Sequence, residues 1–202
     1  VESVACVGAT ASRDTHLALK GSAALDLQRI FLEDWLYAGT SSGHLARLDK
    51  ALTTPQDILA WFPLPADEPR DESQPWVQII DSGPDRSEYA IYRYFFAAMS
   101  SARRRIWITT PYFIPDESIL TALTIAAGRG LDVRLLVPME SDQLLTGLAA
   151  STFVEEVLAR RVKVYAYVPR FIHAKTLVID DELSMIGTAN MDNRSFRLNF
   201  EV

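Results

Sequence analysis

A histidine and a lysine stand one residue apart in the run His173-Ala174-Lys175, and an aspartate, Asp180, follows shortly after. Gly187-Thr188-Ala189-Asn190 and Asn199-Phe200-Glu201 complete the polar part of the same C-terminal stretch. Read as strand, this stretch puts side chains at alternate positions on one face. His173 and Lys175 then point the same way, and Asp180 the other. An imidazole beside an ammonium suits an anionic phosphate. One group attacks phosphorus or moves protons, while the other neutralises charge gathering on the non-bridging oxygens. Thr188 and Asn190 share a parity and offer hydrogen bonds to those oxygens. Asn199 and Glu201 also share one. A carboxylate such as Glu201, bonded to one imidazole nitrogen, would fix the tautomer of His173 and leave the other nitrogen free to attack. Each feature alone is ordinary. His-x-Lys is commonly a polar sheet face, Asp180-Asp181-Glu182 a solvated hairpin turn, and Gly187 a glycine the backbone requires. Their occurrence in register, so close together, points to chemistry.

The elements that must hold these residues follow from hydrophobic period and punctuation. Strands are expected at Trp76–Asp81, Arg105–Thr110, Leu131–Val137, Val162–Val168, His173–Asp180, Ser184–Thr188 and Asn199–Val202, with a turn at Ser82-Gly83-Pro84-Asp85. Helices are expected over Ser87–Arg103, Asp116–Gly128 and Asp142–Arg161. Strands alternating with helices of this length imply an α/β fold, a mixed sheet flanked by helices on both faces. Upstream, Thr15–Leu19 alternates weakly as a strand. A helix capped by Ser22 and stopped by Gly39 follows it. Thr40–Gln74 holds Pro55, Pro63, Pro65 and Pro69 and few periodic runs, so it reads as an irregular connector. The organisation is thus residues 1–40, a connector over 41–75, and a regular body over 76–202.

The totals set limits. Of 202 residues, 49% are hydrophobic and 23% charged, a globular composition with a formal net charge of -6. That acidity argues against a nucleic-acid partner held by its phosphates. One cysteine, Cys6, allows no internal disulfide and no cysteine metal cluster. No basic region precedes an apolar run at the start, and the longest uncharged stretch, Gln143–Val154, falls short of the roughly 18 residues a membrane span needs. The chain opens on Val1 and stops at Val202 within an expected strand, so it reads as part of a longer protein. Arg103-Arg104-Arg105 and Arg160-Arg161-x-Lys163 fall at expected helix C-termini, where the helix dipole favours them. Trp61-Phe62-Pro63-Leu64 reads as apolar chain buried against a core.

The run His173-x-Lys175-x4-Asp180-x6-Gly187-Thr188-x-Asn190 resembles the signature of the phospholipase D superfamily. The wider stretch FIHAKTLVIDDELSMIGTANMDNRSFRLNFEV is similar to the second catalytic motif of bacterial cardiolipin synthases. Upstream, TPYFIPDESI, IIDSGPD and RRVKVYAYVPRFIHAK resemble the same half of that family. RDTHLALKGSAALDLQRIFLEDW resembles the segment that follows the first motif. The resemblance implies an α-β-α sandwich in which two motif copies face each other across one site. One histidine attacks phosphorus, the other protonates the leaving alcohol, and a second alcohol takes the phosphatidyl group, without metal or cofactor. It carries over His173, Lys175, Thr188, Asn190 and Glu201, gives Asp180 a supporting role, and places Tyr112 at the site entrance. It implies phosphatidylglycerol as substrate, a membrane surface, and the cytoplasmic face of the cell membrane. The sequence departs from the pattern in one respect. His16 and His44 lack a lysine two residues on, so only one complete motif is present, and a missing N-terminal half or a second copy must supply the other. The rival readings are a phosphodiesterase or nuclease on the same site, and a non-catalytic scaffold or dimerisation half.

Overall fold

The computed structural model describes residues 12–42 and 75–202. The chain divides into two compact units, Leu19–Ile80 and the remainder, Val1–Ala18 with Asp81–Val202. Most of the expected connector, and Trp61–Leu64 with it, lies outside the described residues, as does His44. In the first of these units, α1 (Ser22–Ser42) begins after Gly21, whose φ of 80° is left-handed. The helix runs through Gly39, where the sequence suggested a stop. An interior glycine costs a helix only about 0.5–1 kcal/mol relative to alanine, which neighbouring turns absorb. Arg29 pairs with Glu33 one turn on at 2.7 Å, the favourable i,i+4 spacing.

The other unit holds the regular body. Its elements are α2 (Ala90–Ser101), β1 (Arg105–Thr109), β2 (Phe113–Ile114), α3 (Glu117–Gly128), β3 (Asp132–Pro138) and α4 (Leu144–Ala159). They continue with β4 (Lys163–Tyr167), β5 (Thr176–Ile179), β6 (Leu183–Ile186), β7 (Met191–Asp192) and α5 (Asn193–Arg197). Five strands form a mixed sheet in the order β4-β3-β1-β5-β6. β1, β3 and β4 are parallel, linked through α3 and α4, while β5 and β6 run antiparallel at the other side. This is the mixed α/β architecture expected. The core follows from register. Val133, Ile106 and Ile179 lie in one row across three strands, and Leu135, Ile108 and Leu177 in the next. All six are buried. α2 brings Ile91, Phe95 and Met99 to the core, and α3 brings Ile119, Leu123 and Ala126. The alternate residues of β1 and β3 are polar or amphipathic. Trp107 lies between the Arg105 and Arg134 guanidinium groups, 4.5 and 4.7 Å from its ring centre. Its indole N–H donates to Asp132 at 3.0 Å.

Capping explains where α3 stands. Asp116 accepts the Ile119 N–H at 3.0 Å as N-cap. At the far end Gly130, with φ 90°, lets Leu131 N–H return to Ala126 O at 3.1 Å.

Four expected strands differ from the structure. Residues 75–81 form no strand, and only Ser82 makes a ladder contact, an isolated bridge to Glu201. Thr15–Leu19 is not a strand either; Arg13 makes one parallel bridge to Ile172. The strand expected over His173–Asp180 is confined to Thr176–Ile179. Its neighbour β1 ends at Thr109, where the pairing Thr109↔Thr176 closes the ladder, and Pro111 beyond it has no N–H to offer. Asn199–Val202 contributes only the Glu201 bridge, because a helical turn, α5, intervenes after Asp192 caps it by accepting the Ser195 N–H at 2.8 Å.

Candidate active site

The polar residues gather at one end of the sheet. β1 delivers Thr110 and Tyr112 from its carboxyl end, and antiparallel β5 begins there, so His173 and Lys175 arrive at the same edge. The crevice beyond the carboxyl ends of parallel strands is where open α/β sheets place their sites. Although His173 and Lys175 precede β5, the shared-face expectation holds. Ile172 and Ala174 are buried at 5% and 2% exposure, while His173 and Lys175 between and after them are half-exposed.

The His173 backbone is tied to the segment at Arg13. Its N–H donates to Arg13 O at 2.7 Å, and Arg13 N–H donates to Phe171 O at 2.8 Å. These bonds bring in a residue the sequence reading did not single out. Asp14 Oδ2 lies 3.1 Å from His173 Nδ1, across 159 positions of chain. Burial pushes the Asp14 carboxyl up, but the Thr15 amide, the His173 bond and the charge of Lys175 outweigh it, and its pKa is lowered. An ionised Asp14 carboxylate accepts from a protonated Nδ1, and in that neutral tautomer Nε2 carries the lone pair. The expectation that Glu201 orients His173 is therefore corrected: the carboxylate on the imidazole is Asp14.

Lys175 bonds back to His173 O at 2.5 Å. Its pKa is lowered by burial, against the opposing pull of Asp14 and Glu201. One ammonium thus sits in the field of two carboxylates. Glu201 is bonded elsewhere, to the Thr188 hydroxyl and to Asn199 Nδ2, the latter at 3.1 Å. The shared parity of Asn199 and Glu201 is realised in this contact. The Thr188 hydroxyl, expected on the phosphate oxygens, is engaged by Glu201 and also accepts the Val202 N–H at 3.0 Å. Gly187 permits this closure, since a Cβ there would meet Val202 O at 2.5 Å. Asn190 is held through its backbone N–H, which donates to the buried Ser195 Oγ at 3.0 Å. Its side-chain Oδ1 is buried and has no hydrogen-bond partner among the described residues.

Asp180 lies at the other end of β5 and takes no part in this cluster. It is buried, with φ 51°, and accepts the backbone N–H groups of Arg103, Arg104 and Arg105 at 2.8–3.0 Å. These donors, Arg105 first, hold its carboxyl below the usual carboxylate range. It anchors the chain entering β1.

Tyr112 reaches the neighbourhood of His173 through Phe171. Its hydroxyl donates to Asp142 at 2.8 Å, and its ring lies 6.4 Å from Phe171, which in turn lies 6.1 Å from the His173 ring. Burial, then the bond to Asp142, pushes the phenol up to about 12, so it remains a donor at any ordinary pH. Phe171 and Asp142 join the site through Tyr112, and neither stood out in the sequence. His16 is exposed and belongs to no site contact. Among the described residues no three His, Cys, Asp or Glu side chains converge as a metal cluster.

The family profile described as "Cardiolipin synthase, PLD-like domain" matches residues 95–202. The chain is 45% identical over 190 residues to a protein named cardiolipin synthase from Geobacillus thermodenitrificans, covering 94% of this chain and 35% of that protein. It is 44% identical to "Cardiolipin synthase 2" from Bacillus anthracis, covering 94% of this chain and 34% of that one. The chain thus spans about a third of the length of these relatives. Among solved structures, the phospholipase D family member Nuc from Salmonella typhimurium is similar at a TM-score of 0.47 and 19% identity, over 57% of this chain and 74% of that one. With residues 95–202 matched, the chain belongs to the cardiolipin synthase, PLD-like domain family.

Proposed function

We propose that this chain supplies one half of the active site of a phosphatidyltransferase that converts two phosphatidylglycerol molecules to cardiolipin and glycerol. The observation that carries this reading is the Asp14–His173–Lys175 arrangement: an imidazole with its Nδ1 proton held by a carboxylate, beside a half-buried ammonium. One imidazole attacks phosphorus, the bond to the glycerol oxygen breaks, and a second imidazolium gives the leaving oxygen its proton. The terminal hydroxyl of a second phosphatidylglycerol then attacks the phosphohistidine. The phosphorus–nitrogen bond breaks, and the hydroxyl proton passes to the second imidazole. Lys175 and the Asn190 amide meet the charge on the non-bridging oxygens. Asn199 steadies Glu201, and Tyr112 borders the phosphate with its hydroxyl turned to Asp142.

His173 occupies one of the two imidazole roles, and the rest of the protein, or a second copy, supplies the other. Asp14 serves a histidine far along the chain. Glu201, bonded to Thr188 and Asn199, acts on Lys175 through its charge. The substrate sets the setting as a membrane surface, with the cytoplasmic leaflet as the side on which it is met. No helix among the described residues is long and apolar enough to cross a membrane.

The test uses the intact protein containing this chain, on vesicles of phosphatidylglycerol, with products separated by lipid class. Cardiolipin and free glycerol should form in equal amounts, in the presence of excess chelator, and His173→Ala should abolish both. Hydrolysis to phosphatidic acid alone would replace the transfer reading with a phosphodiesterase. Loss on chelation with recovery by a divalent ion would sink the metal-free mechanism.

A further inference from the structure

The two arms that border the phosphate come from distant stretches of chain, and a buried hydroxyl bonds both of them. Thr110, 2% exposed, follows the last residue of β1, and its own N–H donates to Leu136 O in the neighbouring strand at 3.1 Å. Its backbone is thereby fixed to the central sheet. Its Oγ1 donates to Tyr112 O at 2.8 Å and accepts the Met191 N–H at 3.2 Å. A hydroxyl has one proton and two lone pairs, so both directions of the group are used. Immediately beyond these contacts β2 and β7 pair in parallel for two residues only, Phe113↔Met191 and Ile114↔Asp192. A ladder that short defines little by itself. The Thr110 hydroxyl ties this clasp to the sheet at its site end, next to Tyr112 on one strand and Asn190 on the other.

We propose that Thr110 is a positioning residue for the transfer reaction, acting by holding the Tyr112 and Asn190 arms at a fixed separation around the phosphate. The inference rests on the phosphatidyl-transfer reading for its substrate, and on geometry alone for the residue. Valine has nearly the shape of threonine and lacks the hydroxyl. In Thr110→Val both the Met191 N–H and the Tyr112 carbonyl lose their partner, and the arm carrying Asn190 is released from the sheet. Displacement of a substrate-positioning group by about 1 Å can cost on the order of 10²-fold in rate. Substrate capture by Lys175 and His173, which hang from Arg13 and β5, stays in place, so the loss falls on kcat rather than KM.

The experiment compares Thr110→Val, Thr110→Ser and wild type in the intact protein, well below the melting temperature and normalised to folded protein. Each is repeated in an Asn190→Ala background. Rates are read on phosphatidylglycerol vesicles and on a soluble chromogenic phosphodiester. The valine variant should lose about tenfold or more in kcat at nearly constant KM, and serine, which keeps the hydroxyl, should stay within about threefold of wild type. With Asn190 already removed, the valine change should cost less than in wild type, because the part of its effect that runs through Asn190 is already lost. Wild-type kcat in Thr110→Val, with only a lower melting temperature, would reduce Thr110 to a structural residue. Equal losses in both backgrounds would show that it does not act through Asn190. If lipid turnover is absent in wild type while the chromogenic substrate is cleaved, the transfer reading fails and the Thr110 comparison is decided on the soluble substrate. Should the valine variant not fold, Thr110→Cys, whose thiol is a weak donor and acceptor, takes its place with the same outcomes.

Discussion

At the scale of single residues, the site is a matter of which carboxylate touches which base. Asp14 bonds the imidazole, whereas Glu201 acts on Lys175 through space. Replacing Asp14 by asparagine keeps the shape but removes the charge that holds the Nδ1 proton and stabilises an imidazolium. Turnover of Asp14→Asn in the intact protein should fall by about 10²–10⁴-fold, the range of a positioned acid–base system, with KM little changed. Steady-state kinetics at neutral pH decide it, and an unaltered kcat would remove Asp14 from the mechanism. Glu201→Gln has a different expected signature. Burial lowers the Lys175 pKa, and Glu201 is one of the two groups holding it up. Without Glu201 that pKa drops further, so the alkaline limb of the pH–rate profile, where Lys175 loses its proton, should move to lower pH. A limb that stays in place would show that the Glu201 charge does not govern Lys175.

At the scale of elements, the question is what fixes the strands that aim these groups. Asp180 gathers three successive backbone N–H groups at the entry to β1, and this arrangement depresses its pKa in the folded chain. A carboxyl with a depressed folded pKa contributes stability that is present above its unfolded pKa of about 4 and is lost as pH falls through the folded value. Asp180→Asn should therefore melt well below wild type at neutral pH, and the gap should narrow as the pH is taken from about 4 downward. Thermal unfolding across that range checks it; a gap independent of pH would mean the charge is not what matters. Much of this layer was legible in the sequence. The helices at α2, α3 and α4 and the sheet strands β1, β3 and β4 follow from apolar period, with α3 expected over Asp116–Gly128. What stayed hidden depends on tertiary partners. Nothing local marks Asp14, because its role arises from His173 far along the chain. The alternation at His173–Lys175 resembles a strand, yet β1 stops at Thr109 and leaves those residues to pair with Arg13 instead. The turn of helix at α5 was masked by polar residues between two motif segments, although Asp192 three residues before Ser195 is an N-cap spacing.

At the scale of the whole molecule, the described residues contain one His-x-Lys pair, and the chain spans about a third of the length of its relatives. Attack by one imidazole leaves an oxygen that needs a proton, and Lys175 is bound to charge neutralisation between Asp14 and Glu201. The central claim is therefore that His173 is one of two histidines sharing a phosphate. The direct measurement uses the intact protein, or two copies where the site is formed by a dimer, with every combination of wild-type histidine and alanine at His173 and at the second motif position. Cardiolipin formation is followed on phosphatidylglycerol vesicles, and the covalent lipid–enzyme adduct is trapped under alkaline conditions, where a phosphohistidine survives. The account predicts turnover only when both histidines are present, with adduct confined to proteins that retain the attacking one. Full turnover with His173 as the single motif histidine, or undiminished turnover after His173→Ala, would contradict it.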